Sequence, residues 1–206
     1  LCTNISVLQD EIVNFNVDNH RISGVLLRSG ISIKTRALIV CSGTFLNGLI
    51  HVGNKSFPAG RYGEKPSIGL SENIVNKGFK TSRLKTGTPP RLESNSINWT
   101  KTKLSPGDKN SVPFSSSSVR PFVSKNIPCH IVNTNNNVHS ILGKHLNDSA
   151  MFSGSIRGVG PRYCPSIEDK ITRFKDRDNH QLFLEPEWLG STQIYLNGFS
   201  TSMPLA

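Results

Sequence analysis

Ala37, Leu38, Ile39, Val40, Cys41, Ser42 and Gly43 form the stretch whose reading decides the fold class. Four uninterrupted apolar residues suit a strand covered on both faces, and sheets covered on both faces belong to the α/β class. The run exits through glycine, at the end of the strand where α/β sheets hold ligands; a glycine there also serves as an ordinary turn. Upstream, Ile5 to Phe15 and Arg21 to Leu27 alternate or are β-branched, and Asp18, Asn19 and His20 between them have turn chemistry. Ile31 to Cys41 continues after Ser29 and Gly30. The first part of the chain therefore reads as a three-strand meander whose last strand is buried, with Cys41 shielded at its end.

Beyond the meander, Pro66 to Asn76 predicts a short helix through Ile68, Leu70, Ile74 and Val75. Phe79 to Leu84 predicts a returning strand that gives way at Thr86, Gly87, Thr88, Pro89 and Pro90. From Arg91 to about Asn126 the chain is loop-rich, with Pro106-Gly107, the serines Ser115 to Ser118, and Pro121. Val138, Ile141, Leu142 and Leu146 have helical spacing. Gly154, Gly158 and Gly160 then make a flexible approach to the run Gly160, Pro161, Arg162, Tyr163, Cys164, Pro165, Ser166, Ile167, Glu168, Asp169, Lys170.

In that run Pro165 suits the first turn of a helix, and Ser166 with Asp169 has the spacing of a capping box. Ile167, Ile171 and Phe174 supply one apolar face. Cys164 then falls at or just before the first turn, where unpaired backbone N–H groups, the helix dipole and Arg162 all favour a thiolate. The alternative is a cysteine that fills a small apolar gap. Leu182, Phe183, Leu184, Glu185, Pro186 and Glu187 form an apolar strand ending in two carboxylates, read either as an acid–base pair or as an ion-paired strand end. Cys129, His130, His139 and His145 match no standard zinc spacing, so no metal is assigned.

The formal charge is +10, and nearly all of it sits in the middle. Asn54 to Lys125 holds thirteen basic and four acidic residues, whereas Asn126 to Ala206 holds seven of each. Such a concentration suits a polyanion, and Lys101, Lys103 and Lys109 lie where side chains reach phosphates most freely. The other reading is a Lys- and Asn-rich bias spread over solvated loops. The four cysteines, Cys2, Cys41, Cys129 and Cys164, are irregularly spaced and suit a reducing compartment. No apolar run reaches the length of a membrane span.

The cysteine run, with Phe183 to Glu187 after it and Arg83, Leu84, Lys85, Thr86, Gly87, Thr88, Pro89, Pro90 and Arg91 before it, resembles the MnmG (GidA) family of tRNA uridine-modifying flavoproteins. The resemblance covers about Val7 to Pro204 and implies an α/β fragment of a FAD-binding Rossmann-like flavoprotein domain, with a β-meander plus a basic α+β insertion domain. It implies residues 1–90 as part of the FAD domain, 91–160 as the loop-rich insertion, and 161–206 as the cysteine-motif helix and the return to the FAD domain. The chain begins without methionine and without Gly-x-Gly-x-x-Gly, and reads as an internal fragment, inactive alone.

By matching position the resemblance implies FAD contacts at Leu8 and Ser67. It implies a nicotinamide-nucleotide stretch from Gly160 to Lys170, continuing through Ile171, Thr172, Arg173 and Phe174, and a catalytic role for Cys164. The implied reaction is FAD- and NADH-dependent, and joins a folate-derived methylene and an amine to C5 of the tRNA wobble uridine. The implied partners are tRNA, an MnmE-type GTPase and a second copy in a homodimer, with no membrane, in the cytoplasm of a bacterium or the mitochondrion of a eukaryote. Asn133 stands where the family commonly has histidine, and Leu8 where it commonly has valine. Three rival readings are a folate- and FAD-dependent tRNA uridine methyltransferase, a generic NADH-dependent flavin oxidoreductase and a non-catalytic RNA-binding module. The second leaves the basic middle segment without a purpose, and the third leaves Cys164 without one.

Overall fold

The computed structural model describes residues 3–119, 126–156 and 165–204. Contacts divide the chain into two compact units, Leu1–Arg83 and Leu84–Ala206.

In the first unit β1 (Ile12–Asp18), β2 (Arg21–Leu27) and β3 (Ser32–Lys34) form an antiparallel meander in that order. Asp18 pairs with Arg21, leaving Asn19 and His20 as a two-residue turn with φ of 49° and 62°. Two successive positive φ angles give the turn whose twist matches the strands it joins. β4 (Leu49–Val52) and β5 (Lys55–Pro58) make a separate hairpin, and α1 (Leu70–Asn76) closes the unit. The core is Phe15, Val25, Leu27 and Leu70, with Leu38, Leu46 and Ile74 packed against it.

Three expectations fail in this unit. β1 begins at Ile12, so Ile5, Val7 and Leu8 are exposed. Ala37 to Val40 is not a strand: Ile39 is 85% exposed and Cys41 is exposed too. The Thr35 hydroxyl donates to the Ala37 carbonyl at 2.8 Å, a local bond that draws the chain away from the ladder. Among the described residues no strand lies beyond β3 to receive the run, and of its four residues Leu38 packs on the core. Phe79 to Leu84 likewise forms no strand, and Phe79 and Leu84 are exposed.

The second unit is built on one antiparallel sheet. Its strands are β6 (Arg91–Glu93), β7 (Lys103–Ser105), β8 (Cys129–Asn133), β9 (Gln181–Pro186) and β10 (Gln193–Asn197), in the order β6-β10-β9-β8-β7. The segment read as loop-rich thus supplies both edge strands. α2 (Asn136–Lys144) and α3 (Ile167–Arg173) complete the unit. Asn135 caps α2 by accepting from the Val138 N–H at 3.0 Å. Leu182, Leu184 and Ile194 are buried on one side of the sheet, while Phe183 and Tyr195, of opposite parity, are half-buried.

Candidate functional site

Of the sequence-predicted site residues, Gly160, Pro161, Arg162, Tyr163 and Cys164 lie outside the described residues. The rest of that stretch begins at Pro165, which is exposed and leads directly into buried Ser166, Ile167, Glu168 and Asp169. The capping box read from spacing is present: the Ser166 hydroxyl accepts from the Asp169 N–H, and Asp169 Oδ2 accepts from the Ser166 N–H, both at 3.2 Å. The Ile167 N–H donates to the Ser200 carbonyl at 2.7 Å. The N–H groups that the sequence reading offered to a thiolate at Cys164 are therefore largely engaged within the protein. Phe174 also departs from expectation. It is 48% exposed and carries the Arg177 guanidinium over its ring at 5.2 Å instead of closing an apolar face.

The first turn of α3 buries two carboxylates, and nothing in the spacing of apolar residues announces them. Glu168 is 0% exposed. Its Oε1 accepts from the Ser149 hydroxyl at 3.0 Å, the Thr201 hydroxyl at 2.9 Å and the Ser202 N–H at 2.9 Å. Its Oε2 is buried and has no hydrogen-bond partner among the described residues. Asp169 lies 3.9 Å from the ammonium of Lys85, whose side chain is 8% exposed and also contacts Met151. Thr201 in turn bridges to Thr88. Lys85 and Thr88 belong to the proline-rich motif, so that motif, the cysteine-motif helix and the C-terminal Thr201–Ser202 meet at one helix start.

The two-carboxylate strand end is ion-paired: Glu187 binds Arg91 at 2.6 Å, and Glu185 accepts from the Asn197 amide at 2.9 Å. Burial, and then the charge of Glu185, push the Cys129 thiol up. The histidines read against zinc have separate partners. His130 packs edge-on against Trp99 and bonds Thr102, His139 bonds Thr134, and His145 bonds Asp148. His180, which the sequence reading did not single out, is buried beside His139 with ring centroids 5.3 Å apart. Its pKa is pushed down by burial first, and then by His139, Lys170 and Arg177. Lys101, Lys103 and Lys109 are exposed, with Lys103 on edge strand β7.

In the first unit the Ser67 hydroxyl donates to Glu11 at 2.9 Å, and Arg28 binds the same carboxylate through Nε at 2.5 Å and Nη2 at 3.0 Å. Arg28, aided by Ser67 and opposed by burial, holds the Glu11 carboxyl down to about 2. Leu8, three residues earlier, is exposed. The Ser67 main chain joins Phe45 and Asn47: its N–H donates to Phe45 at 2.8 Å, and its carbonyl accepts from Asn47 at 2.9 Å. Asn47 itself sits at φ 46° and donates through its amide to Ser71 and Glu72.

These surroundings reverse one sequence expectation. Exposed Cys41 should react with iodoacetamide near neutral pH roughly ten-fold faster than Cys129, whose thiol is half-buried and harder to ionise. Mass-spectrometric mapping of limited alkylation measures both, and equal rates would contradict the placement of Cys41.

The family model described as glucose inhibited division protein A matches residues 2–206. The tRNA uridine 5-carboxymethylaminomethyl modification enzyme MnmG of Chlorobaculum tepidum is 46% identical over 202 residues, which cover 98% of this chain and 32% of that protein. The protein of the same name from Chlorobium phaeovibrioides is 48% identical over 203 residues, covering 98% and 33%. The solved structure of Aquifex aeolicus GidA in its form I crystal matches with a TM-score of 0.83 at 43% identity, covering 95% of this chain and 34% of that one. The α/β class read from the sequence holds at this similarity, and the chain spans about a third of the length of the relatives it matches.

Proposed function

The chain belongs to the glucose inhibited division protein A family, and on that premise we propose that it is part of a FAD- and NADH-dependent enzyme that modifies C5 of tRNA wobble uridine. The observation that carries this reading is the meeting of two of the motifs at the start of α3, Lys85 and Thr88 of the one with Glu168 and Asp169 of the other, joined there by Thr201 and Ser202. A buried polar lattice of this kind costs desolvation and holds one short helix in a fixed place. Cys164 is covalently two residues from its N-cap.

In this reading Cys164 is the reacting thiol. Its thiolate adds at C6 of the uracil ring and makes C5 nucleophilic, or its thiol donates a proton. Help for the thiolate falls to Arg162, since the helix N–H groups are taken. Leu8, which is exposed, would contact the adenine end of FAD, and Ser67, whose hydroxyl donates a hydrogen bond to Glu11, would keep oxygen lone pairs for a donor on the cofactor. These residues fit the group in chemistry. When bound, FAD supplies the redox chemistry and NADH the reducing equivalents, and a folate supplies the methylene. The nicotinamide stretch is assigned to Gly160 through Phe174, of which Pro165 to Phe174 are described. Lys101, Lys103 and Lys109 hold the tRNA backbone. The full assembly comprises a homodimer with an MnmE-type GTPase, in the cytoplasm of a bacterium like those of the relatives named above. Residues 1–90 are assigned to the flavin domain, while 91–160, read as the insertion, and 161–206, read as the cysteine-motif helix and the return to the flavin domain, share one sheet.

Replacing Cys164 with serine in the full-length protein tests the reading. Uridine modification, followed by nucleoside mass spectrometry of tRNA from a complemented deletion strain, should fall by at least about a hundred-fold, since an alcohol is a far poorer nucleophile and acid than a thiol. Flavin content and melting temperature should stay as in the wild type. Full modification by the serine variant would remove Cys164 from the chemistry.

A further inference from the structure

Along β9 buried Leu182 and Leu184 alternate with half-buried Phe183 and Glu185, so one face of the five-stranded sheet is packed and the other is open. The register extends that open face across the whole sheet. Lys103 stands opposite Ile131, and Ile131 opposite Phe183. Phe183 stands opposite Asn197, while Tyr195 stands opposite both Glu185 and Arg91. Cys129, one residue before the partner of Leu184, falls on the same face beside Glu185.

The chemistry of this face is specific. Phe183 and Tyr195 are diagonal neighbours on the two central strands β9 and β10, a relation that sets Cα atoms roughly 7–8 Å apart. The Arg91 guanidinium lies over the Tyr195 ring at 4.7 Å from its centroid. Asn197 stands opposite Phe183 and two residues from Tyr195, its amide donating to Glu185, and Lys103 lies at the far edge on β7. Glu187 is paired with Arg91 and Glu185 accepts from the Asn197 amide, while Glu93, opposite Gln193 on the same face, is exposed at the β6 edge, away from the two rings.

Two half-buried rings on neighbouring inner strands, an arginine already stacked on one of them, an amide beside them and Lys103 at the rim suit unpaired bases. Single-stranded RNA is recognised by stacking on aromatic side chains, with hydrogen bonds to base edges and cations along the backbone. We propose that the open face of the β6-β10-β9-β8-β7 sheet is a stacking platform for two adjacent bases of a single-stranded RNA loop, the tRNA anticodon loop. The identity of the RNA rests on the function proposed above; the platform itself rests on the sheet.

Cys129 supplies a native reporter on this face. An anticodon stem–loop RNA is titrated into the chain, and Cys129 alkylation at mildly alkaline pH is mapped with and without it. Saturating stem–loop should slow alkylation of Cys129 several-fold and leave exposed Cys41 unchanged, while a blunt duplex of equal length protects neither. Phe183→Leu and Tyr195→Leu, each checked for folding by circular dichroism, should each weaken stem–loop binding roughly ten-fold. If the stem–loop binds while Cys129 stays fully reactive and both variants bind as the wild type does, the platform is wrong and the tRNA reading stands. If neither the stem–loop nor whole tRNA binds, the platform is wrong and the RNA assignment of this chain fails with it. The Cys129 measurement needs no variant, so a misfolded substitution leaves the test intact.

Discussion

Glu168→Ala should lower the stability of the unit spanning Leu84–Ala206 by about 4 kcal/mol, and its melting temperature by on the order of 15 °C. The carboxylate is fully buried, and three donors converge on Oε1 from Ser149, Thr201 and Ser202. Truncation leaves the Thr201 hydroxyl and the Ser202 N–H without an acceptor and opens a cavity at the foot of α3; Ser149 keeps its 2.7 Å bond to Ser202 Oγ. Glu168→Gln separates the contributions. The amide oxygen retains the three donors, while its NH2 group takes the place of Oε2, which has no partner among the described residues, at a cost of about 1–2 kcal/mol. Thermal or urea unfolding of both variants measures the difference. Equal losses for alanine and glutamine would mean that the network is not what Glu168 contributes.

The capping box of α3 was legible because it depends on two residue types three positions apart, and a local hydrogen bond needs nothing from the rest of the fold. The turn at Asn19 and His20 was legible for the same reason. Ala37 to Val40 misled because uniform apolarity reports what a segment prefers to contact, while a strand also needs a neighbour with free N–H and C=O groups. Among the described residues β3 has no such neighbour on that side, and Thr35 turns the chain aside. Cys41 was misplaced with it. Glu168 illustrates the opposite difficulty. A glutamate in the first turn of a helix reads as a solvated charge complementing the dipole, and its burial depends on Ser149 and Thr201, distant in sequence and unremarkable in type. The open sheet face was equally hidden, because parity along β9 is readable but the pairing of Tyr195 with Arg91 is not.

That second unit also changes how a thiol at Cys164 is understood. The N–H groups at the start of α3 are spent on the Asp169 carboxylate, the Ser166 hydroxyl and the Ser200 carbonyl, so the helix start acts as an anchor and not as an anion site. Lys85 and Arg173 flank Asp169 at 3.9 Å and 3.5 Å and offset the buried acidity. On the function proposed above, the reactivity of Cys164 would therefore come from the motif's own residues.

In the first unit the largest effect is expected from a single methyl group. Gly48→Ala should destabilise it by about 3 kcal/mol. A Cβ at Gly48 would overlap the carbonyl oxygens of Ala59 and Thr44, both backbone atoms with no rotamer through which to withdraw. The contact is drawn tight from several sides: the Gly48 N–H donates to Phe45 at 3.0 Å, the Ala59 N–H donates to Gly48 at 3.1 Å, and the Thr44 hydroxyl donates to Gly60 at 2.6 Å. Relief of the overlap must move the Thr44–Gly48 loop off Ala59 and Gly60. Asn47 moves with that loop, and its N–H is what holds the Ser67 carbonyl, while its own carbonyl accepts from Arg83 at 2.8 Å. The damage therefore reaches Ser67 as well as the melting temperature. Gly143→Ala is the matched control: it lies exposed in α2, a Cβ there meets nothing within 4 Å, and the change should stabilise by about 0.5–1 kcal/mol. Urea unfolding of both alanine variants measures the contrast. A Gly48→Ala protein whose stability stays within about 0.5 kcal/mol of the wild type would show that the loop yields cheaply, and that Ser67 is not held through it.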